Sequence, residues 1–288
     1  MLILYDPRCA TFGSPRLPEN PERVRAAEAY LRPRHPGWGW QKPPLEVAEE
    51  ILLLAHTPEH LQRLEEPRDI NDETPYYPGI GGHARQAVAA AVAAARHALT
   101  RDTPVFSLMR PPGHHATAGE GMGFCYLNQV AVAALAAQRQ LGAGRVAVWD
   151  FDAHHGNGTE DILLRKKDTL YASVHQYPGY PGTGTLDLAN CRNWPVPPGS
   201  SRALHCTALR ASWDAVVAFH PDLVLVSAGF DAYVGDPITE MTLEAEDFAA
   251  LGAMIRHSGL PTAAILEGGY SPDLPALIEA FLTGWSPE

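Results

Sequence analysis

An α/β fold is predicted for this chain of 288 residues: a single open, mostly parallel sheet with helices on both faces. Two observations predict it. Short apolar runs without polar alternation, such as V-A-V-W at residues 146–149, read as strands buried on both faces. These runs alternate with alanine-rich helical segments, and strand-helix alternation argues for a parallel sheet covered on both sides. No internal repeat, low-complexity segment or linker divides the chain, so one domain over 1–288 is the simplest reading.

In chain order, residues 2–5 form a short strand closed by Asp6-Pro7. Pro21 opens a helix to about Leu31, since proline suits a first turn, and Arg23 on it reads as solvated. Residues 33–44, rich in Pro, Gly and Trp, read as an irregular connection in which Trp38 and Trp40 are packing plugs. Residues 45–54 are mixed. Thr57-Pro58-Glu59 is a cap and first turn for a helix carrying Leu61 and Leu64. Residues 65–82 are polar and acidic, a surface loop, and 83–99 are nearly all alanine and valine, a largely buried helix. A strand at 104–108 runs into a Pro- and Gly-rich loop, and a helix resumes over 128–141. After the strand that reaches Asp150 come a helix from Glu160, a strand at 169–174, and an irregular loop over 175–200. A helix at 203–219, a strand at 223–227, a helix at 244–257, a strand at 262–266 and a last helix to about Leu282 complete the chain.

The formal charge is −11, from 22 Lys and Arg against 33 Asp and Glu, with no basic run longer than Arg165-Lys166-Lys167. Nucleic-acid binders neutralise phosphates with clustered cations, so that class is excluded as the expected partner, and a cationic ligand is easier to accommodate. The four cysteines, Cys9, Cys125, Cys191 and Cys206, show no C-x-x-C spacing and read as reduced thiols. No stretch approaches the roughly 20 apolar residues that span a bilayer, and the first residues lack the pattern of a signal peptide. A cytoplasmic protein without membrane partners is the expectation.

The chain is organised around residues 145–159, R-V-A-V-W-D-F-D-A-H-H-G-N-G-T. Side chains alternate along extended backbone, so Asp150, Asp152 and His154 lean to one side as the strand gives out. Asp-x-His is half of a metal site, and its O and N donors suit Zn²⁺ or another borderline divalent ion. Capping accounts for Thr159, Glu160 and Asp161, but not for two acids and two histidines within residues 150–155. Asp231, in A-G-F-D just past another strand, is the best third ligand, against the plainer reading of a turn residue. Four strands end in such loops, ahead of His114-His115, Asp150–His154, Asp231 and Glu267–Tyr270, and open α/β sheets bind ligands at that edge. Of the tandem histidines, one can be oriented by a carboxylate such as Asp150 while the other moves a proton. Tyr270, after Gly268-Gly269, can donate to a developing oxyanion. Together these describe amide or ester hydrolysis by metal-activated water.

Read in order, R-P-P-G-H-H-A, G-F-C-Y-L-N, D-F-D-A-H-H-G-N-G-T, P-G-Y-P-G-T-G, A-G-F-D and L-E-G-G-Y closely resemble the zinc-dependent histone deacetylase and acetylpolyamine amidohydrolase superfamily, from about Glu22 to Tyr270. The resemblance implies an arginase-like open sheet and a class II-like bacterial deacetylase that stands alone. It places Zn²⁺, with Fe²⁺ as the other ion it allows, on Asp152, His154 and Asp231. His115 falls on the general base and acid, His114 on its electrostatic partner bonded to Asp150, and Asn157 on the partner of His115. Tyr270 falls on the residue that polarises the acyl carbonyl. Phe124 and Tyr180 would wall an acyl-lysine tunnel with Gly123 beside them, and Asp72 would be the rim acid. The resemblance further implies a structural K⁺ held around Asp150, Asp152, His154 and Ser173, and Arg23 at an internal acetate channel. Where relatives selective for acetylpolyamines carry a Glu after Gly-Asp-Pro, this chain has Ile238, and Glu240 is displaced.

The implied reaction is removal of acetyl or another short acyl group from acyl-lysine side chains or acylated small amines. An acetylpolyamine deacetylase is the alternative within the family. A dimanganese ureohydrolase on the same fold needs further acids where this chain has His155 and Ala232. A non-catalytic reader of acylated amines would be marked by loss of the oxyanion tyrosine, and Tyr270 is present.

Overall fold

A computed structural model describes residues 1–101 and 103–286, so residue 102 and the last two residues of the expected 1–288 domain lie outside the described residues. The strands are β1 (Leu2–Leu4), β2 (Gly39–Gln41), β3 (Val105–Ser107), β4 (Val146–Asp150), β5 (Thr169–Gln176), β6 (Cys191–Val196), β7 (Leu223–Ala228) and β8 (Thr262–Leu266). Between them run α1 (Glu22–Arg34), α2 (Glu49–Leu52), α3 (Pro58–Arg63), α4 (Ile80–Thr100), α5 (Gln129–Gln140), α6 (Asn157–Leu163), α7 (Arg202–Ala218), α8 (Ala245–Ser258) and α9 (Leu274–Trp285).

Among the described residues, these eight strands pair in parallel in the order β2-β1-β3-β8-β7-β4-β5-β6. Parallel pairing puts every carboxyl end on one edge, so the loops after β3, β4, β7 and β8 open together. Alternation along each central strand feeds two separate cores. Ala147 and Trp149 of β4 join the aromatic layer with Phe151, Phe230, Phe248 and Phe281, whereas Val146 and Val148 pack among the alanines of α4 and α5. Both faces are therefore covered, as the unbroken apolar runs require.

Local chemistry explains the ends of several elements. Thr57 accepts the His60 N–H at 3.2 Å, the cap expected for α3. Asn128 caps α5 and Ser201 caps α7 in the same way. Gly259 closes α8 with φ 64°, a conformation that costs an L side chain about 1–2 kcal/mol.

Four expectations are corrected. The 33–44 connection contains β2, and the 175–200 loop contains β6, which carries Pro195 and exposed positions. Each lies at a sheet edge, where pairing on one side suffices and apolar patterning is weak. α6 begins at Asn157 rather than Glu160, with Thr159 buried and bonded to Asn128 instead of capping. Arg23 is only 6% exposed and not solvated, because backbone carbonyls and Glu19 satisfy it.

Candidate metal centre and its surroundings

β4 ends at Asp150, and the chain then turns so that Asp152 and His154 face Asp231 from the loop after β7. His154 Nδ1 lies 3.1 Å from Asp152 Oδ1 and 2.9 Å from Asp231 Oδ2. Among the described residues, these three offer ligand atoms all within 4.8 Å of one another. Both carboxylates are fully buried. Backbone donors orient them: Ala153 N–H donates to Asp231 at 2.8 Å, and His154 N–H and Gly268 N–H donate to Asp152 at 2.9 and 2.7 Å. A Cβ at Gly229 or Gly268 would overlap those carboxylates, so glycine leaves the cradle open. Burial opposes a charge on His154, but Asp231 and Asp152 raise its pKa well above the ordinary imidazole value. Two buried carboxylates around one imidazole form a site that a divalent cation fits, and the donor set suits Zn²⁺.

The loop after β3 places the tandem histidines beside this triad. His114 Nδ1 lies 3.2 Å from Asp150 Oδ2, an oxygen that also accepts the Tyr171 hydroxyl at 3.0 Å. Burial alone would lower His114, yet Asp152 and Asp150 lift it to about 10. His115 behaves oppositely. Burial and the neighbouring His114 and His154 hold it well below the ordinary value. Its Nδ1 sits 2.8 Å from Asn157 Oδ1, while the Asn157 amide nitrogen donates to the His115 carbonyl and to Met122 sulfur. That amide orientation makes Nδ1–H the donor and leaves Nε2 of His115 as an acceptor.

Aromatic rings surround the histidines. Tyr180 lies edge-on to His115, with centroids 5.1 Å apart, and Phe124 lies 6.0 Å from Tyr270. Gly123 has φ 53°, and a Cβ there would come within 2.6 Å of the His115 ring. Asp72 is exposed on a turn closed by Asn71 and Thr74, and the neighbouring Glu73 is the acid that, with burial, raises the Tyr180 phenol. Tyr270 donates its N–H to Asp236 at 2.7 Å, and burial pushes its phenol well above the usual range. Ser173 pairs with Asp150 across β4 and β5 and places its Oγ 2.8 Å from His175 Nδ1.

Sequence reading missed a buried charge network beneath these loops. Arg23 donates to the carbonyls of Gly269 at 2.7 Å and Glu267 at 2.5 Å, with its guanidinium 4.7 Å from the Tyr270 ring centroid. Glu19 binds Arg110 through two bonds of 2.5 and 2.6 Å and Arg23 through one of 3.3 Å. Glu267 accepts from the backbone of Gly113 and His114 and from Ser227. The available signal was the one that found Asp150: an acid directly after an apolar run. Glu19 lies in a turn-rich stretch and carried no such mark.

The fold and this edge define an open, parallel α/β protein with a candidate metal centre at its strand ends. The profile of the histone deacetylase domain matches residues 17–284, and the chain belongs to that family. A probable deacetylase of Methanothermobacter thermautotrophicus is 37% identical over 95% of this chain and 86% of its own length. A histone deacetylase-like amidohydrolase of Pseudomonas aeruginosa is 36% identical over 78% of this chain and 64% of its own. Among solved structures, an acetylpolyamine aminohydrolase from Burkholderia pseudomallei superposes with TM-score 0.87 at 28% identity, covering 100% of this chain and 99% of that one. The HDA15 HD domain superposes with TM-score 0.90 at 31% identity, covering 100% and 89%.

Proposed function

We propose that this deacetylase-family protein is a zinc-dependent amidohydrolase that removes acetyl, or another short acyl group, from acyl-lysine side chains or related acylated amines. The observation that carries the reading is the meeting of the Asp152, His154 and Asp231 cluster with an acceptor-only Nε2 on His115 at one sheet edge. Zn²⁺ held by those three residues would supply Lewis-acid polarisation of the acyl carbonyl and a more acidic water.

The chain's own groups do the remainder. His115 takes a proton from the attacking water at Nε2 and returns one to the leaving amine, while Asn157 fixes its tautomer. His114, bonded to Asp150, lends electrostatic support from beneath. Tyr270 donates its hydroxyl to the acyl oxygen as negative charge builds there. Phe124 and Tyr180, with Gly123 packed against the His115 and Tyr180 rings, flank the acyl chain and exclude water. Asp72 and Glu73, on the early loop, suit the positive or peptide end of the substrate. A structural K⁺ on carbonyls of Asp150, Asp152 and His154 with Ser173 belongs to the same reading, as does Arg23 lining the route for released acetate. Residues 1–288 are read as one catalytic domain, a reading supported by the single sheet that holds every strand among the described residues.

The acetylpolyamine alternative is favoured by a named relative: acetylpolyamine amidohydrolase 1 of Pseudomonas aeruginosa is 40% identical over 63% of this chain. Hydrolysis of an acetyl-lysine peptide and of N-acetylputrescine, side by side, with zinc-loaded wild type and Tyr270→Phe tests both. Turnover by wild type and a loss of about 100-fold or more in the variant are expected. The ratio of the two rates names the substrate class. If both proteins bind zinc and neither turns over either substrate, the deacetylase reading gives way to a reader of acylated amines.

A further inference from the structure

Glu267 directly follows β8, ahead of Gly268, Gly269 and Tyr270, and its carboxylate is fully buried. Among the described residues no Lys or Arg pairs with that carboxylate; Arg23 donates to its backbone carbonyl instead. Its acceptors are used on the loop that carries the tandem histidines and on β7. One oxygen accepts Gly113 N–H at 2.7 Å and His114 N–H at 3.2 Å, and the other accepts the Ser227 hydroxyl at 3.2 Å.

The clamped loop has no slack on its other side. A Cβ at Gly113 would come within 2.8 Å of Gln129 N and 2.9 Å of the Leu127 carbonyl, so the Gly113 peptide is wedged between the start of α5 and Glu267. A second connection closes the circuit. Arg23 holds the carbonyls on either side of Gly268, and Glu19 joins Arg23 to Arg110, which begins the histidine loop. Both ends of the catalytic arrangement are thus tied through one short segment.

We propose that Glu267 is a positioning residue, tying the backbone that carries His114 and His115 to the segment that carries Tyr270, so that base and phenol keep one relative placement. The proposal rests on the roles given to His115 and Tyr270 above. An acid is used because one carboxylate oxygen can accept two N–H groups at once while the other takes a hydroxyl.

The test compares Glu267→Gln with Glu267→Met, each checked for metal content and thermal midpoint. The Gln amide oxygen can take both N–H groups and its NH₂ can donate to Ser227, so kcat should stay within about fivefold of wild type. Met has similar length and no comparable acceptor, and a loop shifted by an ångström is expected to lower kcat by about 100-fold with KM changed less than threefold. On a His115→Ala background, the same Met substitution should cost less than about threefold more, because the group it positions is gone. A metal-loaded, folded Met variant with wild-type kcat would overturn the proposal, and so would a full loss repeated on the His115→Ala background. If the Met variant does not fold, Glu267→Asp keeps the charge one methylene shorter. A loss of about tenfold in kcat then supports the clamp, and an unchanged kcat overturns it. Failure of the catalytic reading itself would show separately, as wild-type turnover by the His115→Ala and Tyr270→Phe single variants, and the proposal would fall with it.

Discussion

At the scale of single residues, the site depends on small groups placed where nothing larger fits. Gly123 holds φ 53° against the His115 ring, a position where alanine pays about 1–2 kcal/mol of backbone strain before any collision. Gly123→Ala should therefore lower kcat by about tenfold or more while bound metal per chain stays unchanged, measured on the same preparation. The reverse outcome is expected for Asp231→Asn: metal per chain falls well below wild type under dialysis, because one anionic ligand is lost from a three-residue set. If Asp231→Asn holds metal as tightly as wild type, the assignment of that set is wrong. Asp152, His154, Asp231, His114, His115 and Tyr270 were legible as candidates because each follows an apolar run that reads as a buried strand. Glu19 and Arg110 were not, since their partnership spans 91 residues of sequence and neither sits in a pattern that announces burial.

At the scale of elements, caps and edges decide what the alanine-rich pattern leaves open. Asp247, in the first turn of α8, accepts the Glu244 N–H at 2.9 Å and reaches Arg202 of α7. Asp247→Ala removes that cap far from the metal centre, so stability should fall by about 1 kcal/mol, a Tm shift of about 2–4 °C, with kcat unchanged. Thermal melts and a parallel assay check it; a variant that melts with wild type shows the cap to be dispensable. The central strands and the helices α3, α4, α5, α7, α8 and α9 were readable because burial on one or both faces writes a period into the sequence. β2 and β6 were not, because an edge strand with exposed side chains, paired on one side only, carries no such period.

At the scale of the whole molecule, folding sequesters several histidines in neutral form, and that sets an acid limit. His205 on α7 is 1% exposed, neither ring nitrogen has a hydrogen-bond partner among the described residues, and burial lowers it to about 4. Burial, with His60 beside it, lowers His56 to about 3. A folded-state value below the unfolded one means that the unfolded chain binds more protons between about 4 and 6.5, so stability falls as pH drops through that window. His205→Leu leaves no partner unpaired and should remove on the order of 1–2 kcal/mol of the wild-type loss between pH 7 and pH 5, read from denaturant unfolding at the two values. Parallel acid limbs in the two proteins would remove His205 as the cause. No described helix is long and apolar enough to cross a membrane. The class of fold, the four loaded strand ends and the family were all present in the order of residues, because strand burial and ligand chemistry are written locally. Three matters were decided only by the folded chain: the strand order, the burial of Arg23 and Glu19, and the clamp of Glu267 on the histidine loop. Each depends on which separate segments the parallel crossovers bring together, and no local pattern encodes a partner elsewhere in the chain.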